Sequence, residues 1–494
     1  MKFIFSVGLM LISSVAFGQD HRGFVPKFTV SEKTTHKIPN GQEFTFGYLE
    51  VLENRNSPNS RTIQIPVYVF KSRSPNPKQD PIVYTVGGPG STTMPSAQYM
   101  NYYKYLDDRD FILVEQRGTL YAKPHLDCPE WSNATHKAIL TNLDTETSKS
   151  LFEEAAQACK SRLEKSGIDL DSYNTLESAA DIHELVDVLG IEEYNLLTIS
   201  YSTKIAQVLL RDYPEKIRSV VMDSPLPLEA NYDEESVINL LTVLYKLLSD
   251  CEDQEPCNNA FPDIKNHFRN YLISKTESPV EITITDPATG NPRTFRLSGK
   301  DLIAVFTLAS SGAIRNVPFE INKLINGDLS SVEKQLSYLF EEPATGAGIG
   351  MRLSVWCSEE SPFVDPLIVE KEKSIHPEVK GLSPAVFESS ICNIWDVSGM
   401  PIEENEAIES ATPVLLISGE YDNETPTKWA EQMSENLSNS FHFVFKGWKH
   451  TPTTNWANRC AMNVANDFFN NPNVRPNPDC LKEIESPIFK TNSP

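Results

Sequence analysis

The sequence predicts an α/β protein with a mostly parallel, doubly wound sheet, and two observations lead to this prediction. Short, mainly apolar runs, typical of strands covered on both faces, recur at residues 82–84, 111–114, 194–197, 220–222 and 414–417. Helical patterns lie between them, for example from Ser178 to Leu189, where apolar residues at helical spacing end before Gly190. Strand and helix therefore alternate, which favours a parallel sheet with helices on both faces.

Length and charge exclude some classes of protein. The chain has 494 residues, of which 40% are hydrophobic, so it can bury a sizeable core and is not globally disordered. Its 67 acidic residues outnumber 44 basic ones, and the formal net charge is -23. Because this charge repels phosphate backbones and no basic cluster reverses it locally, we expect no nucleic acid partner.

The first eighteen residues predict a secretory signal. Lys2 precedes an apolar run from Phe3 to Phe17, and Ala16 and Gly18 place small residues where a signal peptidase cleaves. The run is shorter than the ~20 apolar residues that span a bilayer. We therefore expect cleavage near Gly18 and a secreted or periplasmic protein with no stable membrane insertion.

The remaining elements divide the chain into a core and an insertion. Residues 46–52 and 63–69 alternate between apolar and other residues, which predicts a leading antiparallel hairpin. Residues 228–408 carry mainly helical patterns. We interpret residues 19–227 and 409–494 as the two parts of the core, and residues 228–408 as a helical lid inserted between them.

The eight cysteines predict a disulfide framework. All of them follow the signal, and an even number in an exported protein favours disulfides. Pairing by neighbourhood is the simplest connectivity and joins Cys128 to Cys159, Cys251 to Cys257, Cys357 to Cys392, and Cys460 to Cys480. The alternative, a zinc site, requires closely spaced Cys or His pairs that the sequence lacks, so we expect no metal.

Ser200 occupies a tight turn between a predicted strand, 194–198, and a predicted helix, 203–212. A serine on such a turn is typical of a nucleophile elbow, in which small residues two positions before and after it let the strained turn form. Thr198 and Ser202 stand where glycine is usual, so a hydroxyl-rich helix N-cap is the alternative interpretation.

A glycine-rich loop, Val86-Gly87-Gly88-Pro89-Gly90, follows the strand 82–85. Paired glycines let backbone N–H groups approach a substrate carbonyl. We predict that the N–H groups of Gly88 and Tyr201 form an oxyanion hole. An ordinary glycine-rich turn is the alternative.

Two late loops offer an acid and a base. The strand 414–418 leads to Asp422, and the strand 441–445 is followed by His450. The order Ser200, Asp422, His450 is that of an α/β-hydrolase triad, with the acid and the base on loops after consecutive late strands. Glu420, Glu424 and Asp223 compete with Asp422 for the role of the acid.

These residues make the sequence resemble the proline iminopeptidase and tripeptidyl aminopeptidase family of α/β-hydrolase serine exopeptidases, above all its larger secreted tripeptidyl members. The resemblance extends from about residue 46 to residue 480. It rests on Phe46-Gly47-Tyr48-Leu49-Glu50-Val51, Gly87-Gly88-Pro89-Gly90, Glu115-Gln116-Arg117-Gly118-Thr119, Tyr201, Asp223, Cys357-Ser358-Glu359 and Cys460-Ala461. The chain departs from the family pattern at Val86, Glu115, Thr198, Ser202, Lys204 and Thr451.

The resemblance implies that a lid closes over the active site and presents carboxylates to a free peptide N-terminus. Glu359 and Glu360 are the candidates, because a carboxylate in a partly dry pocket binds an ammonium group by a charge-assisted hydrogen bond. A solvated acidic turn is the alternative. We expect Arg117, which follows a buried strand, to tie loops together rather than to bind a ligand.

The sequence thus predicts an exported serine exopeptidase that releases tripeptides, dipeptides or a proline-type residue from free peptide N-termini. Ser200, His450 and Asp422 would act through an acyl-enzyme, with no metal or organic cofactor. Peptides with a free N-terminus would be its partners. An esterase of the same fold and a noncatalytic binding protein are the alternative functions.

Overall fold

The computed structural model describes residues 23–141, 145–286, 289–307, 311–340, 348–381 and 386–492. The predicted signal segment, residues 1–18, lies outside the described residues. Within them, no helix is long and apolar enough to cross a membrane.

Nine of the strands form one sheet. The strands are β1 (Lys27–Val30), β2 (Phe44–Leu52), β3 (Thr62–Phe70), β4 (Lys78–Thr85), β5 (Arg109–Val114), β6 (Tyr194–Ile199), β7 (Ile217–Asp223), β8 (Val280–Thr285), β9 (Pro292–Leu297), β10 (Val414–Gly419) and β11 (Ser440–Phe445). The order across the large sheet is β1-β2-β3-β5-β4-β6-β7-β10-β11. The pairs β1–β2 and β2–β3 are antiparallel. The pairs β5–β4, β4–β6, β6–β7, β7–β10 and β10–β11 are parallel. The predicted fold class is confirmed.

Burial explains why these runs form strands. Every residue of β6 and of β10 is buried, as expected where both faces of a parallel sheet are covered. Neighbouring side chains point to opposite faces, so Leu196 belongs to one apolar cluster and Leu197 to the other. Because the sheet is covered on both sides, the loops that carry the predicted site residues lie at the ends of the strands.

The described α-helices surround the sheet and fill the segment between β7 and β10. They are α1 (Pro129–Thr141), α2 (Thr145–Lys165), α3 (Thr175–Val188), α4 (Ser202–Asp212), α5 (Tyr232–Glu252), α6 (Glu255–Ala260), α7 (Ile264–Glu277), α8 (Gly299–Thr307), α9 (Val317–Ile325), α10 (Ser330–Ser337), α11 (Ile349–Glu359), α12 (Pro366–Ile375), α13 (Ser389–Trp395), α14 (Thr427–Asn436), α15 (Cys460–Asn470) and α16 (Asp479–Lys482).

The lid segment, by which we mean the chain between β7 and β10, contains α5 to α13 and a separate antiparallel hairpin, β8–β9. It has an apolar cluster of its own, which includes Leu248, Phe268 and Ile321. Tyr421, from the loop after β10, joins this cluster and donates a hydrogen bond to Asp250 (2.7 Å). The lid segment is therefore packed directly against the loop that carries Asp422.

The cysteines pair in the structure as their spacing predicts. The bridges are Cys128–Cys159, Cys251–Cys257, Cys357–Cys392 and Cys460–Cys480. The second and the third lie within the lid segment, and the fourth ties α15 to α16, after the loop of His450. Four disulfides are consistent with an exported protein.

Arg117 ties loops together, as expected. Its fully buried guanidinium donates to both Asp181 oxygens (2.6 and 2.7 Å) and to the carbonyls of Glu53 (2.6 Å) and Ser172 (2.7 Å). One side chain thus joins the end of β2, the segment before α3 and α3 itself.

Replacing Arg117 should therefore destabilise the fold. In Arg117→Met, buried carbonyls and part of the Asp181 carboxylate lose their donors, which should lower the free energy of unfolding by roughly 3 to 5 kcal/mol. Urea denaturation followed by tryptophan fluorescence measures this loss. Arg296→Met, at a side chain that is 63% exposed, is the matched control and should change stability little. Equal effects of the two substitutions would contradict the scaffold role.

Candidate active site

Ser200 lies in the left-handed backbone region, with φ of +57°, at the turn from β6 to α4. Its N–H donates to the carbonyl of Asp223 at the end of β7 (2.9 Å), and its carbonyl accepts from the N–H of Thr203 (2.8 Å). A non-glycine residue adopts this conformation only at a cost of about 1 to 3 kcal/mol, which the surrounding contacts must offset. The turn has the strained geometry of a nucleophile elbow.

The hydroxyls that replace the usual glycines of the elbow are satisfied internally. Ser202 Oγ accepts from the N–H of Ile199 (2.8 Å) and has the carbonyls of Thr85 and Ile199 at 2.9 Å as acceptors. Thr198 Oγ1 donates to the carbonyl of Val221 (3.3 Å). These small polar side chains therefore fit the buried turn without an unpaired hydroxyl.

The loop after β4 lies directly on the elbow. A Cβ placed on Gly87 would come within 2.7 Å of Ser200 Cβ and 2.8 Å of Tyr201 N, so only glycine allows this approach. Gly88, the next residue, has φ of +119°. The buried Glu115 holds the far end of the loop by accepting from the N–H of Thr93 (2.9 Å).

His450 and Asp422 are in contact. His450 Nδ1 lies 2.8 Å from Asp422 Oδ2, and Asp422 also accepts from the N–H and the hydroxyl of Thr425 (3.0 and 2.9 Å). Burial raises the pKa of Asp422, but the charge and hydrogen bond of His450 prevail and hold it below its ordinary value. Burial lowers the pKa of His450, but the attraction of Asp422 outweighs it and raises the pKa to about 9.

Two of the competing acids, Asp223 and Glu420, have other partners. The carboxylate of Asp223 accepts from the N–H of Thr453 (2.8 Å) and from the hydroxyl of the same residue, and burial raises its pKa to about 7. Glu420 pairs with Lys246 (2.9 Å) and accepts from the N–H of Gly447 (2.8 Å). The geometry therefore favours Asp422 as the partner of His450.

Ser200 opens into a cleft between the core and the lid segment. The core contributes Gly88, Pro89, Ser200, Tyr201, Glu424 and Thr425, and the lid segment contributes Leu226, Tyr232, Arg352, Val355, Trp356 and Glu360. Gly88 and Tyr201, the predicted oxyanion donors, thus share one cleft with Ser200.

The two candidate carboxylates of the lid segment have different surroundings. Glu359 accepts from the N–H (2.6 Å) and the hydroxyl (2.5 Å) of Thr175, and burial raises its pKa to about 7. Glu360 lines the cleft, forms a buried ion pair with Lys204 and accepts from the N–H of Tyr232 (2.9 Å). Of the two predicted carboxylates, only Glu360 is among the described residues that line the cleft.

Two charged residues of the cleft were not singled out for a binding role from the sequence. Glu424, weighed only as a triad acid, is 57% exposed and lies 3.7 Å from His450 Nε2. Arg352 lies on α11 among apolar neighbours. A lone charge within that apolar run was the signal that could have identified Arg352.

Two family models match the chain. Residues 80–245 match a model described as alpha/beta hydrolase fold, and residues 382–480 match one described as TAP-like protein. Together with the strand order and the elbow geometry, these matches decide the assignment. The chain is an α/β hydrolase with a TAP-like segment.

Curated relatives of this hydrolase are distant. Serine protease Hip1 of Mycobacterium tuberculosis is 20% identical over 395 residues, which are 75% of this chain and 75% of that protein. Tripeptidyl aminopeptidase of Streptomyces lividans is 26% identical over 191 residues, 36% of this chain and 34% of that protein. Putative hydrolase YuaR of Escherichia coli is 22% identical over 409 residues, which are 77% of this chain and 75% of that protein.

The solved structures that resemble this hydrolase do so with low TM-scores. Proline iminopeptidase from Mycobacterium smegmatis has a TM-score of 0.39 and 13% identity and covers 86% of this hydrolase and 98% of its own chain. An alpha/beta hydrolase fold protein from Chitinophaga pinensis has a TM-score of 0.34 and 10% identity. The match covers 92% of this hydrolase and 100% of that protein's chain.

The raised pKa of His450 predicts how activity depends on pH. A general base must be neutral, so kcat/KM should rise with pH through an apparent pKa above the ordinary histidine value and close to 9. Glu424→Gln removes a negative charge near Nε2 and should move this rise to lower pH by roughly half a unit, the scale of a solvent-screened ion pair.

The dependence of kcat/KM on pH is measured with p-nitrophenyl acetate, a substrate that has no titrating group of its own. Glu431→Gln, an exposed position on α14, is the control and should leave the midpoint unchanged. A midpoint at or below the ordinary histidine value would show that Asp422 does not raise the pKa of His450 in the active enzyme.

Proposed function

We propose that this hydrolase is an exported serine exopeptidase that releases short pieces from the free N-termini of peptides. The observation that carries the proposal is the cleft, in which a serine on a strained turn faces lid residues that include a carboxylate. The names of the relatives, a serine protease and a tripeptidyl aminopeptidase, support a peptide substrate.

The contacts of the site support an acyl-enzyme mechanism. With Nδ1–H donating to Asp422, the lone pair of Nε2 in the neutral imidazole of His450 would take the proton of Ser200 as the hydroxyl attacks the scissile carbonyl. The N–H groups of Gly88 and Tyr201 would stabilise the oxyanion, and His450 would then protonate the leaving amine. Water activated by His450 would release the acyl group.

The charges of the cleft suggest where a substrate ammonium binds. Both oxygens of Glu360 already accept one hydrogen bond, yet a carboxylate oxygen can accept two. Glu424 adds a second, more exposed carboxylate beside His450. We therefore assign the ammonium to Glu360, with Glu424 strengthening the attraction, and give Glu359 a structural role at Thr175.

The domain boundaries and the export of the chain belong to the same proposal. Residues 228–408 would act as the lid that limits the depth of the cleft, so that only the end of a peptide enters. Removal of the segment up to Gly18 would release the hydrolase outside the cytoplasm, where its four disulfides form.

Ser200→Ala should abolish hydrolysis without unfolding the protein. Loss of the nucleophile should reduce kcat about 10³-fold or more, while the turn, held by backbone contacts, accepts alanine. Turnover of an alanyl tripeptide nitroanilide and labelling by a fluorophosphonate measure the effect, with circular dichroism as the check on folding. Asp223→Asn, at the rejected acid, should retain labelling. Near-normal turnover of Ser200→Ala would refute the assignment of the nucleophile.

Acetylating the N-terminus of a good substrate should reduce kcat/KM by about tenfold to a hundredfold, because the ammonium and its charge-assisted hydrogen bond to Glu360 are lost while Lys204 still balances the carboxylate. Glu360→Gln should reduce activity on the free peptide selectively and add little further loss on the acetylated one. Glu359→Gln is the matched control from the adjacent position and should preserve the ratio between the two substrates. Equal cleavage of both peptides by the wild type would point to an endopeptidase or an esterase instead.

A further inference from the structure

Arg352 lies on α11 and lines the same cleft as Ser200. Among the described residues that line this cleft, it is the one cationic side chain. Val355 and Trp356, one turn further along the helix, line the cleft as well, and the guanidinium lies 5.4 Å from the centre of the Trp356 ring. The cation is therefore held by a rigid element rather than by a surface loop.

The guanidinium has unused hydrogen-bonding capacity. Its buried Nε has no hydrogen-bond partner, and no carboxylate of the described residues lies within 4.0 Å of it. Burial lowers the pKa of Arg352, against the more distant attraction of Tyr232, Glu424 and Asp233. Because a guanidinium carries five N–H donors and stays charged, an unpaired one inside a cleft is costly unless a ligand pairs with it.

A second cation close to the cleft is already neutralised. Lys204, on α4, forms its buried ion pair with Glu360. Arg352 thus differs from Lys204 in having a charge that no nearby carboxylate balances. The planar fork of a guanidinium matches a carboxylate, which it can bind through two parallel hydrogen bonds.

We propose that Arg352 binds a carboxylate of the substrate, so that the hydrolase prefers peptides with an acidic group in the part that occupies the cleft. This inference rests on Ser200 being the nucleophile of the proposed function. The carboxylate has two sources, the side chain of Asp or Glu within the released piece and the C-terminal carboxylate of a short peptide. Both present the same chemistry to Arg352.

Two sets of substrates distinguish the sources. The first consists of tripeptide nitroanilides with Glu or Gln at each position in turn, in which the leaving group has no carboxylate. The second consists of tetrapeptides with a free or an amidated C-terminus. In one of the sets, the wild type should favour the charged member by about tenfold or more in kcat/KM, the scale of a charge-assisted hydrogen bond.

Substitutions then assign the preference to Arg352. Arg352→Gln should bring the ratio of kcat/KM for charged and neutral substrates close to one. Arg352→Lys keeps the charge without the fork and should give an intermediate ratio. Arg296→Gln, on the exposed hairpin β8–β9, is the matched control and should keep the wild-type ratio.

A readout without peptide cleavage separates this inference from the proposed function. Hexanoate should slow the fluorophosphonate labelling of Ser200 more than hexanamide does, and Arg352→Gln should remove that difference. If no peptide is cleaved but this protection is found, the exopeptidase proposal fails and the carboxylate site stands. Ratios near one in both substrate sets with equal protection by acid and amide, or a preference that persists in Arg352→Gln, would overturn the inference.

Discussion

The strained backbone of Ser200 is the constraint on which the rest of the site depends. A serine in the left-handed region is stable only because its N–H bonds the end of β7 and because Gly87 allows the loop after β4 to lie against it. The same contact brings Gly88 and Tyr201 to the cleft that Ser200 lines. The parallel sheet is what makes these contacts simultaneous, since β4, β6 and β7 are neighbours whose carboxyl ends meet at one edge.

Several buried charged side chains of the described residues form ion pairs, and others have no partner of opposite charge. Asp422 pairs with His450, Lys204 with Glu360, and Arg117 with Asp181. Glu359 and Asp223 are buried without a cation, and burial raises the pKa of each to about 7. Arg352 is the opposite case, because no carboxylate of the described residues lies within 4.0 Å of its guanidinium. Because isolated buried charges are costly, such exceptions are expected at functional sites.

The lid segment contacts the core close to the residues that form the site. Tyr421 precedes Asp422 directly and packs into the apolar cluster of the lid segment. Glu360 follows α11 and pairs with Lys204 of the elbow helix. The bridge Cys357–Cys392 braces the same end of α11. A movement of the lid segment would therefore change the surroundings of both the acid loop and the elbow helix.

The sequence by itself determined the elements that depend on local patterns. Apolar runs and helical spacing identified the strands of the parallel core, and the order of Ser200, Asp422 and His450 followed from their positions after those strands. Tertiary structure alone decided which of the adjacent Glu359 and Glu360 faces the cleft, and it placed Arg352 in the same cleft as Ser200. The sequence already favoured Asp422 over Asp223, and the contact with His450 supports that choice. The physical reason is that strands and turns are set by neighbours along the chain, whereas the environment of a charge is set by segments that meet only on folding.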